Sequence, residues 1–298
     1  MGKRIKKVER RDYLKQEFID KLPVQNITNV TSVHGGDVNL AYKVETSTDP
    51  LFLLVQPNTD DSFYYSEIEG LKDFERIGIT APRVVDSGTI NDDAFLLISY
   101  LEEGQSGSQR ALGELVAKLH NSTNVDKKFG YHAPHRGSSI TFSNDWTMDW
   151  KTQYINGRLD PLMKRLLDEG KWSEKDKEKY EVARKIMIDT LNTHDSKPSL
   201  LHGDLWAGNY MFLKDGRPAL FDPSPFYGDR EFDLGATVVF GGFNQDFYEA
   251  YNEHYKLDDN AWYRINFYKL YLLMVHLLKF GNVYYNSVNQ TLSDIINQ

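Results

Sequence analysis

The sequence of 298 residues contains no cysteine. This absence excludes disulfide bonds, thiolate nucleophiles and cysteine-ligated metal sites, and it fits a protein of the reducing cytoplasm. Long apolar runs are missing as well, because no stretch of about 18 apolar residues is present that would span a bilayer as a helix. The N-terminus shows no charged start followed by an apolar core and a cleavage site. We therefore expect a cytoplasmic protein without a membrane partner.

Positive charge is in the minority, with 35 basic against 43 acidic residues and a net charge of −8. Proteins that bind nucleic acid by neutralising phosphates need a basic surface, so a nucleic-acid partner is not expected. The basic residues between Lys3 and Lys15 alternate with apolar ones, a pattern typical of the solvated face of a helix over residues 1–22. With 40% hydrophobic residues, the chain has enough apolar material for one large or two medium-sized cores.

One segment, residues 200–234, places polar residues at spacings that phosphoryl transfer requires. His202, Asp204 and Asn209 follow the pattern H-x-D-x-x-x-x-N of a kinase catalytic loop. In that chemistry the aspartate accepts the proton of the attacking hydroxyl, and the asparagine binds Mg²⁺. Asp204 is therefore the candidate catalytic base, and Asn209 is a candidate metal ligand.

A second metal ligand follows from the next stretch of chain. Residues 210–213 and 219–221 are short apolar runs around a Gly/Pro turn, which predicts a β-hairpin. The hairpin would return Asp222 to the neighbourhood of Asn209, and carboxylate and amide oxygens are ligands that Mg²⁺ prefers. The alternative is that Asp204 and Asn209 are turn residues, that Asp222 caps the next element and that His202 is a packed histidine. The order and spacing of all four favour the metal site.

Three segments together resemble a known family: residues 202–209 (HGDLWAGN), 222–223 (DP) and 227–234 (YGDREFDL). They are similar to the fructosamine kinase (ketosamine 3-kinase) family, a branch of the aminoglycoside-phosphotransferase-like group with a protein-kinase-like fold. The resemblance implies an α+β protein with two lobes and with ATP and Mg²⁺ as cofactors. The N-lobe, residues 1–101, would hold a small antiparallel sheet. The larger and mainly helical C-lobe would take residues 102–298.

The nucleotide-binding part is expected in the N-lobe. Residues 27–45 read as a strand, a glycine turn and a second strand, and Gly35 and Gly36 would let backbone N–H groups approach the phosphates. A plain turn is the alternative. The resemblance implies further that the backbone of Ser99 and Leu101 binds adenine.

The sequence departs from the family pattern at one position. The resemblance assigns Leu54 to the place of the lysine that grips the α- and β-phosphates, while Glu67 matches the glutamate that pairs with this lysine. Lys43, Gln56, a rearranged Glu67 and Mg²⁺ alone are the candidate replacements, and the residues do not choose among them. The missing lysine leaves open an alternative function, a catalytically weak, nucleotide-binding pseudokinase.

The acceptor is also assigned by the resemblance. It implies a ketosamine of the fructosamine or ribulosamine type, free or on a glycated protein, phosphorylated at its third hydroxyl as a step of deglycation repair. Trp206 is the candidate to stack on this acceptor, with a hydrophobic plug of the loop as the alternative, and His276 matches a family histidine near the acceptor pocket. Another aminoglycoside- or choline-type phosphotransferase remains a further alternative. The sequence leaves the oligomeric state open.

Two groups of residues are expected to support the site. In related folds an aspartate at the position of Asp233 anchors the catalytic loop by hydrogen bonds. Trp150 and Tyr154 belong to an aromatic segment that would line a sugar-binding wall or pack in the core.

Overall fold

The computed structural model describes residues 14–33, 40–136 and 140–298, which form two compact units. The first unit takes the described residues up to Lys72 together with Pro82–Glu102, and the second takes Asp73–Ala81 and Glu103–Gln298. No helix in the described part of the chain combines the length and the apolar character needed to cross a membrane. The assignment of residues 1–101 and 102–298 to two functional lobes stays a prediction.

The first unit is built on five strands: β1 (Ile27–Val33), β2 (Leu40–Thr46), β3 (Leu51–Gln56), β4 (Val84–Ile90) and β5 (Asp93–Ser99). They form one antiparallel sheet in the order β1-β2-β3-β5-β4. Helix α1 (Gln16–Ile19) precedes the sheet, and a 3₁₀ turn (Asp61–Tyr64) leads into helix α2 (Tyr65–Arg76). The end of α2 belongs to the second unit.

One face of this sheet forms a core with the N-terminal segment. Alternate residues of β2, β3 and β5 pack against Phe18 and Leu22, as the period of two in a strand requires. The helix predicted over residues 1–22 is a single turn within the described residues, because Lys15 has an extended backbone and Pro23 follows closely. Residues 1–13 of that prediction lie outside the described part of the chain.

The second unit is mainly helical. Its described helices are α3 (Gln109–His120), α4 (Asp160–Asp168), α5 (Glu174–Thr193), α6 (Glu231–Thr237), α7 (Gln245–His254), α8 (Ala261–Phe280) and α9 (Tyr285–Ile296). A π-helical segment (Thr152–Leu159) runs into α4. Three antiparallel strand pairs join them: β6 (His135–Arg136) with β7 (Thr141–Phe142), β8 (Ser199–Leu201) with β11 (Phe226–Gly228), and β9 (Tyr210–Phe212) with β10 (Pro218–Leu220).

Helix starts in this unit follow local capping chemistry. Ser173 and Asp176 form a reciprocal capping box that begins α5, and the Ser108 and Asn244 side chains accept hydrogen bonds from the first turns of α3 and α7. These caps satisfy backbone donors that have no partner within the helix.

Helix α8 forms the centre of the second core. Thirteen of its twenty residues are buried, as expected for a helix that is apolar nearly all round. Trp150 and Tyr154 pack against it: their exposed fractions are 3% and 0%, and Trp150 Nε1 donates to the Tyr268 hydroxyl at 2.9 Å. These two aromatic residues therefore belong to the core and form no sugar-binding wall.

Candidate active site

Two strand pairs position the candidate catalytic loop. The loop leaves β8, which pairs with β11, and it ends in a 3₁₀ turn (Ala207–Asn209) that leads directly into β9. The predicted hairpin is confirmed, because β9 pairs with β10 with Tyr210 opposite Leu220. The Phe221 N–H then donates to the Asn209 carbonyl at 3.1 Å. This bond returns the chain so that Asp222 lies beside the end of the loop.

Asp204 and Asn209 are in direct contact. Asn209 Nδ2 donates to the Asp204 carbonyl at 2.7 Å and to Asp204 Oδ2 at 3.2 Å. The amide nitrogen is thereby turned toward Asp204, and no group among the described residues donates to Asn209 Oδ1. The amide oxygen is a hard ligand of the kind that Mg²⁺ prefers.

The electrostatics of the site are dominated by two neighbouring carboxylates. Burial and the nearby charge of Asp222 together raise the pKa of Asp204 from 3.8 to about 7. Loss of hydration also raises the pKa of Asp222. Asp222 has a φ of +55°, a left-handed conformation in which aspartate is tolerated better than most residues. Negative charge and backbone strain are thus concentrated where a cation is expected.

His202 is held as a neutral structural residue. Its Nε2 lies 3.0 Å from the Phe221 carbonyl, and its Nδ1 accepts from the Asp204 N–H at 3.3 Å. The residue is fully buried, and this burial lowers the pKa of the imidazole. Both ring nitrogens are engaged, so His202 fixes the loop to the residue before Asp222.

Asp233 anchors the start of the loop. Its carboxylate accepts from the backbone N–H groups of His202 at 2.7 Å and Gly203 at 2.9 Å, and His120 Nε2 lies 3.0 Å away. Gly203 has a φ of +82°, and a Cβ placed there would lie 1.8 Å from the Ser224 carbonyl oxygen. Only glycine fits at this position. The anchoring role expected for Asp233 is therefore visible in its hydrogen bonds.

Trp206 and His276 are joined by a residue that the sequence did not reveal. The ring of Trp206 lies 6.5 Å from that of Phe240, which in turn lies 4.7 Å from the imidazole of His276. Trp206 and Phe240 are each 40% exposed, which is unusual for large aromatic side chains. His276 Nδ1 lies 2.9 Å from the Leu272 carbonyl, and burial lowers the pKa of its ring. The three rings form an aromatic shelf beside the catalytic loop.

The structure gives partial information on the predicted nucleotide-binding residues. Gly35 and Gly36 lie outside the described residues. Glu67 is half-buried in the first turn of α2. The Ser99 N–H donates to the Arg83 carbonyl at 2.8 Å, so this amide is not available to adenine. Leu101 follows the end of β5 and is half-buried.

The sheet register separates the candidate replacements for the missing lysine. Leu54 lies opposite Ala41 and Leu96, in an apolar strip of the sheet. Lys43 is engaged elsewhere: its Nζ lies 3.1 Å from Glu45 Oε1, and this partner raises the pKa of the ammonium group. Gln56 is two residues from Leu54 on the same face.

Gln56 differs from Lys43 because part of its polar group is unsatisfied. Its buried side-chain oxygen has no hydrogen-bond partner among the described residues. A buried polar atom without a partner costs free energy, and such atoms mark places where a ligand or water completes the bonding. No sequence signal identifies this state, since it depends on the neighbours that the fold brings together.

The chain has a fold of the protein-kinase-like class. A solved aminoglycoside phosphotransferase, APH(4)-Ia in ternary complex with ADP and hygromycin B, matches the fold with a TM-score of 0.61. The match covers 90% of this chain and 92% of that chain at 11% identity, which is a similarity of fold alone.

Sequence comparison identifies the family of the chain within this fold class. The family model described as fructosamine kinase matches residues 12–298, and the chain belongs to this family. It is an ATP-dependent phosphotransferase with an alcohol group as acceptor. The resemblance drawn from residues 202–209 and 227–234 is confirmed.

Individual relatives agree with this membership. A Staphylococcus aureus protein named a probable ketoamine kinase is 55% identical over 283 residues, covering 95% of this chain and 98% of the relative. A solved structure from Haemophilus somnus, named as a fructosamine-3-kinase, superimposes with a TM-score of 0.80 at 24% identity. It covers 91% of this chain and 92% of that chain.

The raised pKa of Asp204 leads to a stability prediction for the protein without metal or nucleotide. The unfolded chain keeps the ordinary carboxyl pKa, so ionising Asp204 opposes folding increasingly as the pH rises from 4 to 7. We expect Asp204→Asn to raise the free energy of unfolding at pH 8 by about 2 kcal/mol, a value halved for partial solvation of the carboxyl. At pH 4 the effect should vanish.

Urea denaturation at pH 4, 6 and 8 without Mg²⁺ measures this difference. Asp215→Asn is the matched control, because Asp215 is exposed and Arg217 lowers the pKa of its carboxyl. Equal stability of Asp204→Asn and the wild type at pH 8 would contradict the prediction.

Proposed function

We propose that the chain transfers the γ-phosphate of MgATP to the third hydroxyl of a ketosamine of the fructosamine or ribulosamine type, free or on a glycated protein. The observation that carries this proposal is the contact of Asp204 with Asn209, next to Asp222 at the end of the hairpin. The family membership and the name of the Staphylococcus aureus relative support the acceptor class. Phosphorylation of the sugar would destabilise its bond to the amine and so serve deglycation.

Asp204 is the proposed base. The Asn209 amide fixes one of its oxygens, so the other is left to orient the acceptor hydroxyl and accept its proton. In the protein without metal or nucleotide, burial and the Asp222 charge raise the pKa of Asp204 and make its carboxylate a stronger base; Mg²⁺ on Asp222 would remove the second of these causes.

Asn209 and Asp222 are the proposed magnesium ligands. They fit the ion, because the Asn209 amide oxygen is free of protein donors and the two neighbouring carboxylates repel each other until a cation is present. When bound, Mg²⁺ neutralises charge on the β- and γ-phosphates.

The nucleotide is assigned to residues of the N-lobe, 1–101. Gly35 and Gly36 would approach the phosphates, and the Ser99 carbonyl and Leu101 backbone would bind adenine. Glu67 would lie near the phosphates, at the position of the glutamate that pairs with the lysine in the family pattern. We propose that the Gln56 amide takes over part of the lysine's role by donating from Nε2 to a phosphate oxygen, because Lys43 is paired with Glu45. The unsatisfied Gln56 Oε1 is an acceptor and would bind a water or a cation there.

The acceptor is assigned to the aromatic shelf of the C-lobe, residues 102–298. The exposed ring of Trp206 would stack on the sugar, and His276 would accept a hydrogen bond at Nε2, because the proton of the neutral ring sits on Nδ1 facing Leu272.

A nucleotide-binding pseudokinase is the second candidate. Leu54 favours it, because the apolar strip around this residue offers no cation to the phosphates. The two candidates differ in whether an acceptor is phosphorylated.

The first functional prediction concerns turnover. We expect phosphorylation of ribulose- and fructose-derived lysine adducts with MgATP, and a loss of kcat by about 10²–10⁴-fold in Asp204→Asn, because the base is removed while the loop is preserved. Coupled detection of ADP and mass analysis of the acceptor measure it.

The control for this experiment is Asp215→Asn, which removes a carboxylate from the β9–β10 turn. It should keep wild-type turnover. Binding of MgATP without phosphorylation of any ketosamine would favour the pseudokinase. Turnover that survives in Asp204→Asn would contradict the assignment of the base.

The second functional prediction separates the replacements for the missing lysine. Gln56→Leu should raise the KM for ATP about tenfold, since a hydrogen bond to a charged phosphate contributes on the order of 1.5 kcal/mol. It should also stabilise the nucleotide-free protein, because a buried unsatisfied oxygen disappears.

Lys43→Met is the matched comparison, and it should change the KM for ATP little because Lys43 pairs with Glu45. Steady-state kinetics and thermal unfolding measure both effects. A larger rise of the KM for ATP in Lys43→Met than in Gln56→Leu would assign the role to Lys43.

The third functional prediction concerns the aromatic shelf. Trp206→Ala should raise the KM for the ketosamine about tenfold and leave the KM for ATP unchanged, because a stacking contact is lost on the acceptor side alone. Trp262→Ala removes a tryptophan of similar exposure from the start of α8 and serves as control. An equal KM for the ketosamine in Trp206→Ala and Trp262→Ala would support the alternative that Trp206 is a hydrophobic plug of the catalytic loop.

A further inference from the structure

A second polar site lies in the C-terminal unit, apart from the residues proposed for phosphoryl transfer. A cavity of about 760 Å³ opens between the end of α5, the start of α6 and the start of α8. Its volume is in the range typical of ligand sites. Its lining is strongly polar and includes His194, Ser199, Asp229, Asp258 and Arg264.

Three side chains have the donor set of a metal site, and two of them, His194 and Asp229, line this cavity. His194, Asp229 and Glu231 each offer one ligand atom, and these atoms lie within 4.8 Å of one another. Within residues 14–33, 40–136 and 140–298 no other group of three such residues meets this criterion. Asp229 and Glu231 are each 2% exposed, so the carboxylates are held inside the protein.

The distances suit a small divalent cation. His194 Nε2 lies 2.8 Å from Asp229 Oδ2 and 4.0 Å from Glu231 Oε1. Ligands about 2.0–2.2 Å from a tetrahedral Zn²⁺ are separated by roughly 3.3–3.5 Å, and the two observed distances bracket this range.

The charge balance favours a cation. Three carboxylates, of Asp229, Glu231 and Asp258, surround one guanidinium, that of Arg264, which lies 2.6 Å from Glu231 and 2.7 Å from Asp258. The excess of two negative charges is what a divalent ion cancels once the proton on His194 Nε2 leaves. Arg264 donates to both Glu231 oxygens, and Ser196 Oγ donates to Asp229 Oδ2 at 2.7 Å, so the ion would share these carboxylates with protein donors.

Arg230, another cation that lines the cavity, does not complete this cluster. The Arg230 guanidinium donates to the carbonyls of Tyr255 and Lys256 and stacks on the Tyr255 ring at 3.6 Å. It is therefore committed to the backbone of another segment, and no ion pair joins it to Asp229 or Glu231 among the described residues.

An independent observation also points to a ligand. The Ser199 side chain lines the same cavity, is fully buried, and its hydroxyl has no hydrogen-bond partner among the described residues. A buried hydroxyl without a partner costs free energy. A water bound at the open position of a three-ligand metal ion would supply the missing partner.

We infer that His194, Asp229 and Glu231 bind a divalent cation of the Zn²⁺ class, with a water in the fourth position facing the cavity. The ion would tie the end of α5 to the start of α6. This site is separate from the proposed magnesium ligands, and the inference does not depend on the proposed function.

Calorimetric titration of Zn²⁺ into the full chain, with excess Mg²⁺ present, tests the site. We expect one Zn²⁺ per chain in the wild type and an affinity at least 100-fold lower in His194→Gln. Glutamine keeps a donor toward Asp229, so the fold is retained, and melting temperatures in metal-free buffer verify this. His254→Gln, an exposed histidine on α7, is the matched control and should bind like the wild type.

Two further measurements separate the alternatives. Asp222→Asn should leave Zn²⁺ binding unchanged, and X-ray absorption should show one nitrogen and two or three oxygen ligands at about 2.0–2.2 Å. Loss of binding in Asp222→Asn with retention in His194→Gln would place the zinc at the catalytic carboxylates and overturn the inference. Absence of stoichiometric binding would also overturn it and leave the cluster as an ion-pair network.

Discussion

The carboxylate of Asp233 holds the backbone on which the candidate active site is built. It is fully buried, and it is stable there because it accepts from the N–H groups of His202 and Gly203 and contacts His120, itself hydrogen-bonded to Tyr251. A buried carboxylate without such donors would be very costly, so the loop stabilises Asp233 as much as Asp233 stabilises the loop. The position of Asp204, which follows Gly203 directly, depends on this mutual arrangement.

The fixed loop lets the protein tolerate an unfavourable charge at Asp204. Burial and the neighbouring Asp222 make ionisation of Asp204 costly, and Asp222 adds a left-handed backbone conformation. Such costs persist only where the surrounding structure over-determines the geometry, and they are common at sites of chemistry. The hairpin and the Asn209 amide supply that constraint. The backbone strain at Asp222 and the repulsion between Asp204 and Asp222 are thus local. The contacts that hold these residues in place come from β8, α6 and the β9–β10 hairpin.

The sequence predicted the parts of this site that depend on local spacing. The catalytic-loop pattern and the hairpin that returns Asp222 follow from short-range rules, whereas the anchor at Asp233 was implied by the resemblance to related folds. Contacts between distant segments were not predictable. Phe240 links Trp206 to His276, and Gln56 is left unsatisfied only because of the sheet around it. The roles of Trp150 and Tyr154 stayed ambiguous because aromatic residues occur both in the walls of sugar-binding sites and in hydrophobic cores.

Helix α6 connects the cluster of His194, Asp229 and Glu231 to the catalytic loop. With seven residues it is too short to be stable alone, so its position is set by what holds its two sides. On one side Asp229 accepts from the Glu231 N–H and contacts His194, while on the other the Cβ of Tyr268 lies 2.4 Å from where a Cβ on Gly235 would be. Asp233 sits between these two constraints. A change in the charge around Asp229 therefore acts on a short, closely packed helix, and the N–H groups of His202 and Gly203 are bonded to Asp233 in the first turn of that helix.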